Sequence, residues 1–362
     1  MISLETVLNA YIDANIILAL GAVIWAGAQL ILRQTPLKRA HGAQLNLLYG
    51  VLVIVGIAPF AALALWPQAQ ALNINLSDMI VAEYLDGRFA MTPSTFEALL
   101  ASRDTLIHEI ATLGTTAGAI IAAILITGVV FGIARTLFNL TCVRRVIAQS
   151  YLWRQSGKVQ IRLTDTSSIP FSTRGLRRHY VVIPSEMLGH PGDLRIALAH
   201  EFQHLRQGDL TWETVLELLR PLFVFNPAMR YWKSQVERQR ELACDQQVMQ
   251  RKRLSAADYA GCLLRVCTNA LHRHSRATMP AVALVQVKGR RNAHFLRHRV
   301  LQMIDGGFGP TRRWVVPALL VPMAVCVGLS AVAIQRSGDW SQDRLMLSAI
   351  VNLERLDQRN GY

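Results

Sequence analysis

The sequence is short of two features on which soluble and secreted proteins depend, charged residues and paired cysteines. Charged residues make up only 17% of its 362 residues, whereas 52% are hydrophobic, which is more apolar side chain than one globular core absorbs. The five cysteines are odd in number and none stands in a CxxC pair, so no disulfide framework is predicted. The apolar residues are gathered in blocks, and such blocks favour a protein inserted in lipid.

Acidic residues are scarce in one part of the chain. Residues 135–313 contain 29 lysines and arginines and 12 aspartates and glutamates, whereas the rest of the chain contains 9 and 12. The net charge of +14 therefore arises entirely from that segment. Basic residues beside membrane spans mark the cytoplasmic side. The other explanation is a nucleic-acid partner, but no helix-turn-helix or aromatic-basic pattern supports it, so no direct contact with nucleic acid is predicted.

Four apolar blocks are long enough to cross a bilayer as helices, at about 14–32, 45–66, 110–140 and 314–334. The first block has acidic residues before it and basic residues after it. A cleaved signal peptide has the opposite polarity, so this block is interpreted as a retained span with its N-terminus outside. The predicted organisation is two spans in 1–66, an extracytoplasmic loop in 67–109, a third span in 110–134, a cytoplasmic domain in 135–313, a fourth span in 314–334 and a short extracytoplasmic tail in 335–362.

The loop and the tail predicted on the outer side both carry helix signals. The run Thr92-Pro93-Ser94-Thr95 is typical of a helix start. In the tail, the spacing of apolar residues from Leu345 to Leu353 predicts one amphipathic helix. We expect this helix to fold onto the 67–109 loop.

Short alternating runs begin at Lys158. Residues 159–163 and 180–183 are predicted to be strands, with turn residues between them. Either Ser185 or the run Pro191-Gly192-Asp193 then opens a helix. A strand edge beside that helix is a place where an extended peptide can dock by strand addition.

That helix carries the main motif, His200-Glu201-Phe202-Gln203-His204. Residues four apart lie one above the other on a helix, so the two imidazoles can hold one zinc ion together. Glu201 follows the first histidine and can take a proton from a water on the metal, whose pKa zinc lowers to about 7. HExxH also arises by accident, so the motif needs a third ligand.

A group of acidic residues lies on one face of the helix predicted over 228–252. Glu237, Glu241 and Asp245 are spaced four apart and share one side of it. Glu241 is the candidate third zinc ligand, and Asp245 would accept a hydrogen bond from a ligand histidine. The alternative is a solvated acidic face paired with neighbouring arginines.

Other residues near the motifs have more than one reading. Asp209 either accepts a hydrogen bond from a ligand imidazole or caps the next helix. Cys244 is interpreted as a core residue, because a thiolate is unusual in a hydrolytic site of this kind. The candidates for stabilising a developing oxyanion are Tyr180, His179 and Arg238.

Taken in order, these motifs resemble the BlaR/MecR-type membrane metallopeptidases of bacteria. The pattern is the HExxH run with Asp209, then Phe225-Asn226-Pro227, then Glu241-Leu242-Ala243-Cys244-Asp245, and the resemblance covers about residues 10–334. It implies His200, His204 and Glu241 as zinc ligands and Glu201 as the catalytic carboxylate. It also implies an antirepressor role, in which a cytoplasmic repressor is lost and the protein's own chain is cut before the last span, here within 287–301.

The tail departs from the best-known members of that family. Residues 335–362 are too few for a penicillin-binding sensor domain and contain no SxxK motif. Direct acylation by a β-lactam is therefore not expected.

The sequence thus predicts a mainly α, polytopic membrane protein with four transmembrane helices and a cytoplasmic α+β, gluzincin-like zinc peptidase domain. We expect it in the bacterial inner membrane, with both termini extracytoplasmic, as a zinc endopeptidase of a signalling system that answers an envelope signal. The expected partners are a protein substrate such as a transcriptional repressor, membrane lipid and a second copy of the chain. Two alternatives stay open, a housekeeping protease of membrane-protein quality control and a non-catalytic signalling scaffold.

Overall fold

The computed structural model describes residues 3–71, 76–175, 177–252, 254–274, 290–304, 314–334 and 342–360. Within these ranges the chain is mainly helical with one small sheet, which confirms the predicted mainly α class. The helices are α1 (Leu4–Arg33), α2 (His41–Ala71), α3 (Leu76–Leu85), α4 (Pro93–Thr112), α5 (Thr116–Gln149), α6 (Pro191–Gln207), α7 (Asp209–Leu219), α8 (Pro227–Lys252), α9 (Ala256–His274), α10 (Arg290–Ile304), α11 (Val315–Ala333) and α12 (Gln342–Asn360).

Four of these helices contain stretches long and apolar enough to cross a membrane, namely α1, the His41–Ala62 part of α2, α5 and α11. They correspond to the four predicted blocks. The third differs in its start, because α4 runs on to Thr112 and Leu113 then adopts a left-handed conformation with φ of 53°. The hydroxyl of Thr115 caps the new helix by accepting a hydrogen bond from the Gly118 N–H at 3.0 Å. The segment predicted as one span from residue 110 is therefore divided between two helices.

The helices α1, α2 and α11 share a core with α8. Trp25 and Leu48 from the spans and Trp232 from α8 are completely buried there, and the indole N–H of Trp232 donates to the Leu18 carbonyl at 3.1 Å. The segment predicted as cytoplasmic is thus anchored on the first two spans by one of its own helices.

The helix α5 meets the chain between α7 and α8. Gly128 and Gly132 lie against Phe225 and Pro221, where a larger side chain would collide. Residues 219–225, too short to span a bilayer by themselves, therefore rest against the third span.

The helices α3, α4 and α12 form a small unit, here called the cap. Val81, Phe96, Leu347 and Val351 make its core. Glu354 of α12 accepts a hydrogen bond from the backbone N–H of Ser94 at 2.8 Å, which satisfies an orphan donor at the start of α4. The expectation that the tail forms a helix on the 67–109 segment is confirmed.

The sheet has four strands rather than the two predicted. They are β1 (Tyr151–Ser156), β2 (Val159–Thr164), β3 (Phe171–Arg174) and β4 (His179–Pro184), in the order β1-β2-β4-β3. Pairing is parallel between β2 and β4 and antiparallel elsewhere. The basic run Arg144, Arg145 and Arg154 with its interleaved apolar residues is typical of an amphipathic helix, but α5 ends at Gln149 and Arg154 lies in β1. One face of the sheet packs on α6 through Val181, Ile183 and Ala197, and the edge strand β3 lies beside α6 and α7.

Candidate metal centre

The helix α6 places His200 and His204 side by side. Of the two possible starts, the helix uses Pro191, which occupies its first turn, and Gly208, with φ of 74°, ends it. Because the two histidines are one turn apart on the same face, their Nε2 atoms lie 3.1 Å from each other. Glu201, next in the chain, is buried at 6% exposure.

The helix α8 brings Glu241 to both imidazoles. Its Oε2 lies 3.4 Å from Nε2 of His200 and its Oε1 lies 3.7 Å from Nε2 of His204. The structure therefore unites the three residues that the sequence and the family resemblance suggest as ligands. The alternative of a solvated acidic face does not hold for Glu241 and Asp245, whose side chains are 20% and 5% exposed.

His204 is held by Asp209, the first residue of α7. Nδ1 of His204 donates to Asp209 Oδ2 at 2.8 Å, and the carboxylate is nearly inaccessible, at 1% exposure. Asp209 also accepts a hydrogen bond at 3.2 Å from the hydroxyl of Tyr49 in α2. Of the two readings left open by the sequence, Asp209 thus takes the role of imidazole partner, and it makes no side-chain cap for α7.

His200 is oriented through the side chain of Tyr259, which the sequence analysis did not identify. Its Nδ1 lies 2.7 Å from the hydroxyl of Tyr259 in α9, and that hydroxyl donates to Asp245 Oδ1 at 2.9 Å. The direct distance from Nδ1 to Asp245 Oδ1 is 3.5 Å. Asp245 therefore supports the imidazole mainly through a tyrosine, which no spacing in the sequence connects with the motif.

Two buried arginines balance the acidic charge. Arg299 of α10 approaches Glu241 Oε2 at 3.1 Å, and Arg240 of α8 approaches Glu241 Oε1 at 3.5 Å while binding Glu213 at 2.6 Å. Burial alone would raise the pKa of the Glu241 carboxyl, but the Arg299 charge and the neighbouring imidazoles hold this pKa well below its usual value. Glu241 is therefore in the anionic form that a metal ligand needs.

Cys244 lies next to the same cluster. Its thiol is fully buried with Val248 and Tyr259, and Sγ is 3.4 Å from Nδ1 of His200. The ligand atoms of His200, His204 and Cys244 all lie within 4.8 Å of one another, a grouping that could hold a metal ion. The contact of the thiol to His200 is at Nδ1, and the thiol also interacts with His204, whereas Glu241 approaches the Nε2 atoms of both imidazoles.

The three oxyanion candidates lie outside this cluster in the contacts of the described residues. Tyr180 and His179 belong to β4, where the Tyr180 ring approaches Gly175 and His179 lines a basic cavity of about 350 Å³ with Lys158. The Arg238 guanidinium lies 5.9 Å from the centre of the Phe295 ring.

The donor atoms fit a zinc ion. Two nitrogens about 2.0–2.1 Å from a tetrahedral zinc lie about 3.3 Å from each other, close to the 3.1 Å between the two Nε2 atoms. When each Nδ1 donates its proton to its own partner, the Nε2 lone pairs of both imidazoles are available to bind one metal ion. The anionic Glu241 is the third donor of the set and offsets one of the two positive charges of zinc.

Four potential spans joined to a pair of helices with a histidine, histidine and carboxylate set are features typical of membrane metallopeptidases. The family model described as BlaR1 peptidase M56 matches residues 10–297. This match covers well over half of the chain, which therefore belongs to the BlaR1 peptidase M56 family. The resemblance seen in the sequence is confirmed. A search of curated proteins finds no match.

The bond between His204 and Asp209 gives a testable prediction. Replacing Asp209 by asparagine removes the charge that orients the imidazole, so we expect zinc affinity to fall about 10–100-fold. Competition with a chromophoric chelator measures this. Asp193→Asn is the matched control, because Asp193 lies on the same helix and binds Arg265 at 2.8 Å, away from the cluster. Equal affinity in Asp209→Asn and the wild type would contradict the assignment.

Proposed function

We propose that the chain is a membrane-embedded zinc endopeptidase in which His200, His204 and Glu241 hold zinc and Glu201 is the catalytic carboxylate. The observation that carries the proposal is the closed cluster of two Nε2 atoms and one carboxylate, with each Nδ1 occupied by a separate hydrogen bond. Family membership supports the same chemistry.

In the proposed peptide hydrolysis, zinc and the side chains of the protein have separate roles. Bound zinc supplies a Lewis acid that polarises the peptide carbonyl and lowers the pKa of water. Glu201 accepts the proton of the attacking water and returns a proton to the leaving amine. Asp209 and Tyr259 keep the two imidazoles in the tautomer that leaves Nε2 free to bind a metal.

The substrate is proposed to bind as an extended strand along β3. This strand is at the edge of the sheet, beside α6 and α7, and strand addition to an edge supplies backbone hydrogen bonds without regard to side chains. Arg174 at the end of β3 donates to Thr211 of α7 at 2.8 Å, which fixes this edge relative to the residue that holds His204.

The biological role proposed is signalling from the bacterial inner membrane. The basic excess of 135–313 supports a cytoplasmic catalytic domain by the positive-inside rule, with both termini on the other side. The proposed substrates are a cytoplasmic repressor, the protein's own chain, or both, cleaved in response to an envelope signal.

The test uses the full chain purified in detergent. We expect about one zinc per chain, cleavage of a peptide reporter or of the chain itself, loss of cleavage on chelation and recovery when zinc is restored. Zinc without any cleavage would favour the non-catalytic scaffold, and a chain that takes up no zinc would overturn the proposal.

A proteomic comparison separates the signalling role from quality control. Cells with the intact chain are compared with cells that carry Glu201→Ala. One repressor-like protein that accumulates only in the variant supports the signalling role, whereas many unfolded membrane proteins would favour the housekeeping role.

A further inference from the structure

Arg299 reaches the metal centre from the helix that precedes the fourth span. Its side chain is only 11% exposed. The guanidinium donates through Nε and Nη2 to the two oxygens of Asp245 at 2.7 and 2.8 Å, and Nη1 lies 3.1 Å from Glu241 Oε2. One cation thus binds two carboxylates that are one turn apart on α8.

The double bond to Asp245 fixes the plane of that carboxylate. A guanidinium offers parallel N–H groups in a rigid fork that matches a carboxylate, whereas a lysine ammonium acts as a point charge and sets no plane. Because the Asp245 side chain is 5% exposed, bulk water does not compete for these bonds. Asp245 Oδ1 also accepts a hydrogen bond from Tyr259 at 2.9 Å and lies 3.5 Å from Nδ1 of His200.

Tyr259 transmits this orientation to His200. Its hydroxyl proton points to Asp245, so its oxygen is free to accept the Nδ1–H of His200 at 2.7 Å. The Nε2 lone pair of His200 is then directed toward His204 and Glu241. Ligand histidines usually donate directly to a carboxylate or carbonyl, as His204 does to Asp209, whereas at His200 a phenol stands between.

We propose that Arg299 is a positioning residue of the metal centre, which acts through Asp245 and Tyr259 on His200 and makes zinc binding depend on the seating of α10 against α8. The proposal rests on the proposed function, because it takes His200, His204 and Glu241 as the zinc ligands. Arg299 lies beyond residue 297, where the family match ends, and outside the motifs that contain the candidate ligands.

Zinc binding would thus depend on a helix that immediately precedes the fourth potential span in the order of elements. Along the chain, α10 stands between the helices of the metal centre and α11, the fourth potential span. Withdrawal of α10 from α8 removes the fork from Asp245 and leaves two acidic side chains of α8 without their shared cation. Any movement that separates α10 from α8 therefore weakens the hold on zinc.

The test measures zinc affinity of the full chain in detergent by competition with a chromophoric chelator. We expect Arg299→Gln to lower the affinity about 10–100-fold, the range for lost partners of metal ligands, and Arg299→Lys to recover only part of it. Arg297→Gln is the matched control, because Arg297 is exposed on the same helix, and it keeps the wild-type affinity. In cobalt-substituted protein, the visible absorption bands shift in Arg299→Gln and stay unchanged in Arg297→Gln.

A second variant covers the case in which Arg299→Gln does not fold. Tyr259→Phe keeps the ring and the pair between Arg299 and Asp245 but removes the hydroxyl, and we expect a loss of affinity in the same direction. Wild-type affinity and cobalt spectrum in folded Arg299→Gln, or in Tyr259→Phe, would overturn the proposal. A wild-type chain that binds zinc but cleaves nothing would count against the peptidase function. The comparison of zinc affinities between the wild type and the variants would still test the role of Arg299.

Discussion

Replacing Glu201 with alanine is expected to leave the zinc content unchanged and to lower the rate of peptide cleavage about 10²–10⁴-fold, the usual contribution of a general base. Glu201 is buried beside His200 on α6, whereas the three ligand candidates are other residues. Its removal therefore takes away the proton acceptor and not the hold on the metal.

Metal analysis and the cleavage assay, run on the same preparation, check this result. Glu237→Ala is the control, since Glu237 is a carboxylate on α8 with 46% side-chain exposure and a contact to Lys233 at 3.7 Å. We expect Glu237→Ala to cleave at the wild-type rate. Unchanged proteolysis in Glu201→Ala would remove the mechanism proposed for this site.

The second large effect concerns the identity of the third ligand. Glu241→Gln is expected to lower zinc affinity by more than the roughly 10–100-fold that accompanies loss of a supporting residue, because a neutral amide is a poor zinc ligand and the ion loses a direct bond. His204→Ala is expected to lose both zinc and cleavage. Cys244→Ser keeps the metal, because the contact of the thiol to His200 is at Nδ1.

Zinc titration of the three variants separates the two donor sets. Retention of zinc in Glu241→Gln together with its loss in Cys244→Ser would show that the thiolate is the third ligand. A free thiol can be followed in the same samples, since zinc protects a ligand cysteine from alkylation.

The metal centre is tied to the potential spans at more than one point. Asp209, which holds His204, is itself held by Tyr49 of α2, and the Tyr49 ring stacks on Trp212 of α7 with 4.4 Å between centroids. Trp232 anchors α8, the helix of Glu241, on α1. A rearrangement of the spans therefore acts directly on residues that orient the candidate ligands.

The stretch predicted as a site of self-cleavage, 287–301, is only partly described. Residues 287–289 lie outside the described ranges, and residues from Arg290 onward belong to α10. A substrate bound as an added strand is extended, so a cut inside α10 would require the turns around it to unwind. Cleavage next to Arg299 would therefore break the bonds of Arg299 to Asp245 and Glu241.

The sequence by itself determined the parts that depend on local periodicity. The four-residue spacing of His200 and His204, and of Glu241 and Asp245, fixes which side chains share a helix face, because the helix repeat is constant. Long apolar runs likewise predicted four potential spans, and the spacing of apolar residues predicted the tail helix. The local sequence did not predict β1 and β3. These strands form because the tertiary fold places β2 and β4 beside them as pairing partners.

Only the tertiary structure decided how the two histidines are held. Tyr259 is 59 residues from His200, Arg299 is 54 from Asp245 and Tyr49 is 160 from Asp209. Contacts over such separations depend on how helices pack, and no repeat in the sequence encodes them. The same physical reason explains why Glu241 and Cys244, neighbours on one helix, both lie close to the two histidines, since this proximity depends on how α8 packs against α6.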